Sequence, residues 1–358
     1  MRASAISAHI DLREHAAYAL ELGMRHLGTN GLLETVLFKE AVDFRLRALG
    51  ARCGVRTRDV RTAQGQRLYG AVFYLELQTP PTLPLACFGE NDTLRLVDHS
   101  RMAGRSILDG YVFFDCPERE AGKVPNDVAP GDLATAPFGW IRVAQRFVHD
   151  EHGVSQLRLA EPANIDRTKA GTWDEPSSAS EAHRTMLQSR PETPPEFRVL
   201  DSRPFVTRLH VDPEHSVNGA GLFYFPAYVS LIDVAERGFL QNGIWPPCPD
   251  VLIGGRTTVR RTICYYGNAA WNDTVLVEVR VGVRDRTGDG DKITTGQTVA
   301  AQLHTVAHVY READRNLIAI AECEKLLTVD RVSAASEGAV ARLVGSHPRS
   351  LDPRHRPV

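Results

Sequence analysis

Apolar and polar positions alternate along eight runs of this 358-residue chain, and the runs fall into two groups of four. Arg67–Leu77, Thr93–Val97, Ile107–Phe114 and Gly139–Val148 read as strands, and so do Thr257–Tyr266, Thr274–Val283, Val299–Tyr310 and Leu317–Leu327. Ahead of each group lies a helix-like stretch, and in Leu222–Leu240 the apolar residues lie on most faces instead of one stripe. A helix of that kind is buried, so each group of strands is expected to wrap one helix.

The two groups also resemble each other in sequence. Thr29–Arg47 and Val217–Arg237 each open on an Asn-Gly pair, and Gly31-Leu32, Asp43 and Arg47 match Gly221-Leu222, Asp233 and Arg237 at a common offset of 190. Asn91-Asp92-Thr93 and Asn272-Asp273-Thr274 are a second shared turn. One helix followed by four antiparallel strands, written twice, predicts an α+β chain with a double hot-dog fold. The expected organisation is a first half over 1–160, a linker over 161–196 rich in Pro, Ser, Glu and Thr, a second half over 197–331 and a frayed tail over 332–358. Residues 117–137 read as a loop inserted before the last strand of the first half.

Composition narrows the function. The formal charge of −2 gives no bulk attraction to nucleic acid or acidic lipid, and 43% hydrophobic with 24% charged residues is a globular balance. No apolar run approaches eighteen residues and the first twenty lack a signal-peptide pattern, so a cytoplasmic protein is expected. The six cysteines form no CxxC pair and read as buried free thiols. GxSxG, GxGxxG, P-loop and HExxH motifs are absent, which lowers hydrolase triads, Rossmann cofactors and zinc proteolysis.

Three groups of residues remain as candidates, each with a plain structural alternative. Asn30 with Gly31, Leu32 and Leu33, and Asn218 with Gly219 to Gly221, place donors at a helix start, where a thioester oxyanion is stabilised; Asn and Gly are also ordinary cap and turn residues. Tyr69 shares the face of Phe73, Leu75 and Leu77 under strict alternation, so its phenol is expected to point toward the buried helix, as nucleophile, as proton donor or merely as a packed ring. His26, Glu34, His210, Asp212 and His215 flank the helix starts and supply acid–base candidates, while Glu34 falls opposite Tyr224, so no acid–base pair is symmetric. Asp43, Asp233, Arg47 and Arg237 read as ion pairs or surface charges.

Gly23–Gly50, RLYGAVFYLEL and His210–Glu236, above all VNGAGLFYFPAY, resemble the bifunctional acyltransferase/decarboxylase family known from leinamycin biosynthesis, over roughly Leu22 to Leu327. The resemblance implies loss of CO2 from methylmalonyl-CoA and delivery of the propionyl group to the phosphopantetheine thiol of an acyl carrier protein. Tyr69 matches the tyrosine that carries the acyl group, with Tyr74 as runner-up. Asn30, Asn218 and Gly219 would serve the enolate oxygen, and His26, Gly31, Leu32, Glu34, His215, Gly221 and Tyr224 would line the substrate. Arg256, Arg260 and Arg261 are candidates for a CoA or carrier phosphate. No metal or bound cofactor is implied, and the partners are an acyl carrier protein and a CoA thioester, with a monomer or homodimer both compatible. A thioesterase or dehydratase with a base at Glu34, His26 or His215, and a non-catalytic acyl-binding scaffold, are the rival expectations.

Overall fold

The computed structural model describes residues 10–11, 16–119, 123–124, 127–128, 133, 135–150, 157–172, 177–218, 222–244, 247–248, 250–286, 298–329, 338, 341 and 343–345. Gly219 and Gly221 lie outside the described residues, as does the side chain of His215, most of the tail, and much of the 117–137 insertion.

Each half builds one layer of a shared sheet. In the first half β1 (Ala17–Glu21) precedes helix α1 (Glu34–Cys53), followed by β2 (Tyr69–Gln78), β3 (Thr93–Ala103), β4 (Ile107–Asp115) and β5 (Gly139–Asp150). After helix α2 (Ser178–Ser189), the second half repeats the order as β6 (Phe205–His210), helix α3 (Ala227–Gly238), β7 (Arg256–Tyr265), β8 (Thr274–Asp285), β9 (Thr298–Arg311) and β10 (Leu317–Val329). The strands join in one antiparallel sheet, β6-β8-β9-β10-β7-β2-β5-β4-β3-β1, with Arg198–Val199 added on β8 and Leu157–Leu159 on β5. The seam between halves is the β7–β2 pairing, from Arg260 opposite Gln78 to Cys264 opposite Tyr74. Read outward from that seam, both halves place their strands in the same order, so the molecule is an α+β double hot dog with an approximate two-fold axis at the seam.

The two helices lie on the concave face because their buried residues leave them no other place. In α1, Leu37, Phe38, Ala41, Phe44, Arg45, Ala48 and Leu49 are buried. Adding 191 to each number gives Tyr228, Val229, Ile232, Ala235, Glu236, Phe239 and Leu240, all buried in the second half. The helices therefore correspond at 191, not at the 190 expected from the Gly-Leu, Asp and Arg matches. Leu27 pairs with Leu32 and Val217 with Phe223, which places one extra residue in the second turn. The Asp43/Asp233 and Arg47/Arg237 matches are thus coincidences of sequence.

Both helices start later than the Asn-Gly turns. Gly31–Leu32 pairs back on Leu27–Gly28, and Leu33 N–H donates to the His26 carbonyl at 3.0 Å, before α1 begins at Glu34. In the second half, Tyr224 N–H donates to Ser216 O at 2.7 Å, which holds the chain extended until Pro226 precedes the helix. The expected helix start at Leu222 is therefore corrected to Ala227. Asn91 and Asn272 both sit at positive φ (69° and 71°), and Asp92 and Asp273 each accept at 2.7 Å from the N–H three residues back, so the Asn-Asp-Thr turns are structural equivalents.

Part of the expected linker is ordered structure. Ser177 caps α2, whose Ala179 and Met186 pack on Phe73, Tyr74, Cys264 and Ile320 across the convex face of the seam. The cysteines are free thiols, buried except for the half-buried Cys53.

Candidate functional site

The two-fold arrangement gives two corresponding regions, each where one half's helix start meets the helix of the other half, and the first of them opens as a cleft. In the first, of about 330 Å³, Gly28–Thr35 faces Val229, Ser230, Asp233 and Arg237 on α3, Arg256–Thr258 on β7 and Lys325 on β10. Gly31 has φ +80°, and a Cβ there would lie 2.2 Å from Leu85 O, so only glycine lets this loop pack so closely. Asn30 donates from its side chain to Arg256 O at 3.2 Å, and Leu32 is buried.

The floor of this cleft is a closed network of charges. Arg261, with no exposed surface, donates from Nε to Glu34 Oε2 at 2.6 Å and from Nη2 to Glu34 Oε1 at 3.2 Å and Asp233 Oδ1 at 2.9 Å. Lys325 Nζ bonds Asp233 Oδ1 at 2.7 Å and Glu236 Oε1 at 2.8 Å. Arg256 Nη1 reaches Glu236 Oε1 at 2.5 Å, Thr305 donates to Glu236 Oε2 at 2.6 Å, and Thr258 donates to Glu34 Oε1. Three carboxylates meet three cations, so the network balances its own charge, while Arg261 Nη1 has no acceptor among the described residues. Burial opposes the charge on Asp233 and Glu236, but Arg261 with Lys325, and Lys325 with Arg256, override it and hold both carboxyls below their ordinary range. Groups depressed on folding contribute stability that is present above about pH 4 and lost as pH falls through the folded value. Melting temperature is therefore expected to drop steeply below about pH 4; a curve flat from pH 6 to 3 would show that the network is solvated.

This arrangement corrects two expectations. Arg256 and Arg261 are internal counter-ions and not phosphate contacts, while Arg260, half exposed, bonds Glu76 Oε1 at 2.9 Å. Glu34 accepts three hydrogen bonds, two from Arg261 and one from Thr258, and His26 is buried with Nδ1 accepting from Gly23 N–H at 2.8 Å, so neither stands as an uncommitted base.

The seam strands extend the correspondence between halves. β2 carries a bulge between Val72 and Tyr74, and β7 one between Thr258 and Arg260. Across these bulges Val72 pairs with Gln145 and Thr258 with Lys325; Gly70 pairs with Phe147 and Arg256 with Leu327. Gly70 thus occupies the place of Arg256, Gln145 that of Lys325, and, by helix position, Arg45 that of Glu236. Gly110 opposite Val143 likewise stands where Thr305 stands opposite Cys323.

The bulge also changes where Tyr69 points. Strict alternation is broken at Phe73, so Leu77, Leu75, Val72 and Gly70 face α1, and a Cβ on Gly70 would meet Leu46 and Gln145. Tyr69 therefore lies on the opposite, convex face, with Arg67 4.8 Å from its ring centre, which corrects the inward orientation expected for it. Tyr74 lies on that face too, donating to Glu76 Oε2 at 2.8 Å, and burial pushes its phenol up. The structure does not bring Tyr69 or Tyr74 together with Asn30.

The second region lies at the start of α3. Asn218 closes the turn, its N–H donating to Leu222 O at 2.9 Å and its Oδ1 accepting from Leu222 N–H at 3.1 Å. Tyr224 packs beside α1, with Lys39 Nζ 5.3 Å from its ring centre, and burial, reinforced by Asp43 and Glu40, pushes its phenol up to about 12. Asp43, one helix position from the counterpart of Asp233, has its carboxyl raised by partial burial and by Glu40. Phe223, Tyr228 and Tyr265 supply an apolar wall. Arg45, Gln145 and Asp43 escaped the sequence reading as site residues. The signal for Arg45 and Glu236 was there, since each is a charge at a buried phase of its helix.

No protein-family model matches the chain, and no curated protein matches it in sequence. Solved structures do match its fold. An acyl-ACP thioesterase from Bacteroides thetaiotaomicron aligns with a TM-score of 0.52 at 9% identity, over 88% of this chain and 99% of its own. The 12:0-ACP thioesterase from Umbellularia californica aligns with a TM-score of 0.52 at 9% identity, over 87% of this chain and 93% of its own. These likenesses span both halves together, and at such identities they establish architecture: the chain has the double hot-dog fold.

Proposed function

We propose that this protein is an enzyme of acyl thioesters, binding an acyl-CoA or acyl carrier protein conjugate beside the start of α3 and cutting the thioester with water. The observation that carries this reading is the start of one half's helix set beside Lys39 and Asp43 of the other half's helix, in the same fold as two acyl-ACP thioesterases. The positive end of the α3 dipole suits the carbonyl oxygen as it gains charge. Asp43, whose carboxyl is raised above its ordinary value, takes a proton from water as the water oxygen attacks the carbonyl carbon. The C–S bond then breaks, and the thiolate takes a proton from solvent. The first cleft, closed by its own charges, is structural in this reading.

Decarboxylative transfer to a carrier-protein thiol is the second reading. It is favoured by the resemblance centred on Val217–Tyr228 and by the apolar wall of Phe223 and Tyr228, beside which a carboxylate is poorly solvated. One assay separates them: the full chain with acetyl-, malonyl-, methylmalonyl- and long-chain acyl-CoA, with and without holo carrier protein, following thiol release and the mass of each product. Free acid plus thiol supports hydrolysis, and acylated carrier plus CO2 supports transfer. Neither product across the whole panel overturns both.

A further inference from the structure

We infer that Tyr224 is a gate over the second region: its ring fills the space that lies open as a cleft in the first, and it turns aside to admit an acyl thioester to Asp43. The inference deepens the thioester reading above and rests on it. Leu32 and Phe223 pair with Leu27 and Val217, so the offset of 191 already holds where each chain segment approaches its helix. Tyr224 therefore stands where Leu33 stands, and Lys39 and Asp43 stand where Ser230 and Val234 do. Leu33, Ser230 and Val234 all line the first cleft of about 330 Å³. Tyr224 keeps the corresponding neighbours, with its ring centre 5.3 Å from Lys39 Nζ and its phenol opposed by the Asp43 charge. Tyrosine for leucine and lysine for serine add bulk to both walls, so the volume left open in the first region is taken up by side chain in the second.

The backbone of Tyr224 is pinned, whereas its side chain is lightly held. Its N–H donates to Ser216 O at 2.7 Å, and its carbonyl accepts from Ala227 N–H at 2.8 Å. Its ring meets the Lys39 ammonium and, edge-on, the Phe225 ring with centres 5.0 Å apart, and its hydroxyl has no hydrogen-bond partner among the described residues. Cation–π and edge-to-face contacts are weak beside a buried hydrogen-bonded phenol, so a change of side-chain rotamer uncovers the region without moving the chain. What lies beneath is apolar. Val42, Leu46 and Val72 belong to the hydrophobic core in the places of Asp233, Arg237 and Thr258, which line the first cleft. A wall of that kind takes the hydrocarbon part of an acyl group, and Tyr224 decides when it is accessible.

Calorimetric binding of S-butyl-CoA, a thioether that cannot be cleaved, tests this on the full chain. A gate that is mostly closed lowers the apparent affinity by the fraction open, so Tyr224→Leu, which copies Leu33, is expected to bind about threefold tighter or more. Fluorine NMR of protein carrying fluorotyrosine gives a second measurement, with the Tyr224 line identified by its loss in Tyr224→Leu. Saturating S-butyl-CoA is expected to move that line in the wild type to the position of a solvent-exposed fluorotyrosine. Equal or weaker binding in Tyr224→Leu, or a Tyr224 line unmoved at saturation, overturns the gate and leaves the thioester reading standing. Binding to neither protein overturns the thioester reading, and the gate with it.

Discussion

Replacing Arg261 by methionine is expected to destabilise the protein by about 3–5 kcal/mol, the cost of leaving buried carboxylates without their cation. Arg261 is wholly enclosed and is the only group that joins Glu34 of the first helix to Asp233 of the second, among the described residues. Methionine has the length to fill the space, so the loss reports charge and not a cavity. Lys325 still reaches Asp233, but Glu34 keeps only the Thr258 hydroxyl. Urea unfolding measures the effect, and Glu34→Gln added to Arg261→Met is expected to recover part of it, because the stranded charge goes too. A loss under about 1 kcal/mol would mean that water reaches the network and that the pair behaves like a surface ion pair.

The largest effect on catalysis is expected at Asp43. If it draws the proton from the attacking water, Asp43→Asn lowers kcat by about 100-fold or more while leaving KM within a few-fold. Its carboxyl is raised by burial and Glu40, so the acid limb of the wild-type kcat/KM profile should fall at a pH above the ordinary aspartate value. Glu40→Gln removes one cause of that raise and should move the limb to lower pH without abolishing turnover. That shift separates a base from a residue that merely packs. Full activity in Asp43→Asn would remove Asp43 from the chemistry and return attention to carrier transfer.

Much of the architecture was legible in the sequence because it is written in long-range repetition. The two sets of four strands, the buried helices and the Asn-Asp-Thr turns all follow from periodicity and turn chemistry, which act locally. The one-residue difference between the turns at Asn30 and Asn218 was hidden by chance matches at Asp43/Asp233 and Arg47/Arg237. The bulge at Phe73 left no mark in residue type, yet it reverses every orientation before it in the strand, and with it the expectation for Tyr69. Burial of Arg45 at a core phase of α1 was readable, whereas its relation to Glu236, Gln145 and Lys325 needed the pairing of strands far apart in the chain.

The β7–β2 seam has a consequence for how such a site can change. In a symmetric homodimer the contact across the axis is isologous, so any substitution appears in both copies at once and cannot give the two clefts different partners. Here a single polypeptide supplies both sides of the seam, and lysine stands in one half where glutamine stands in the other. Covalent fusion thereby lets one side of the seam hold a buried charge network at Lys325 while the corresponding position at Gln145 carries none, a divergence closed to two identical chains.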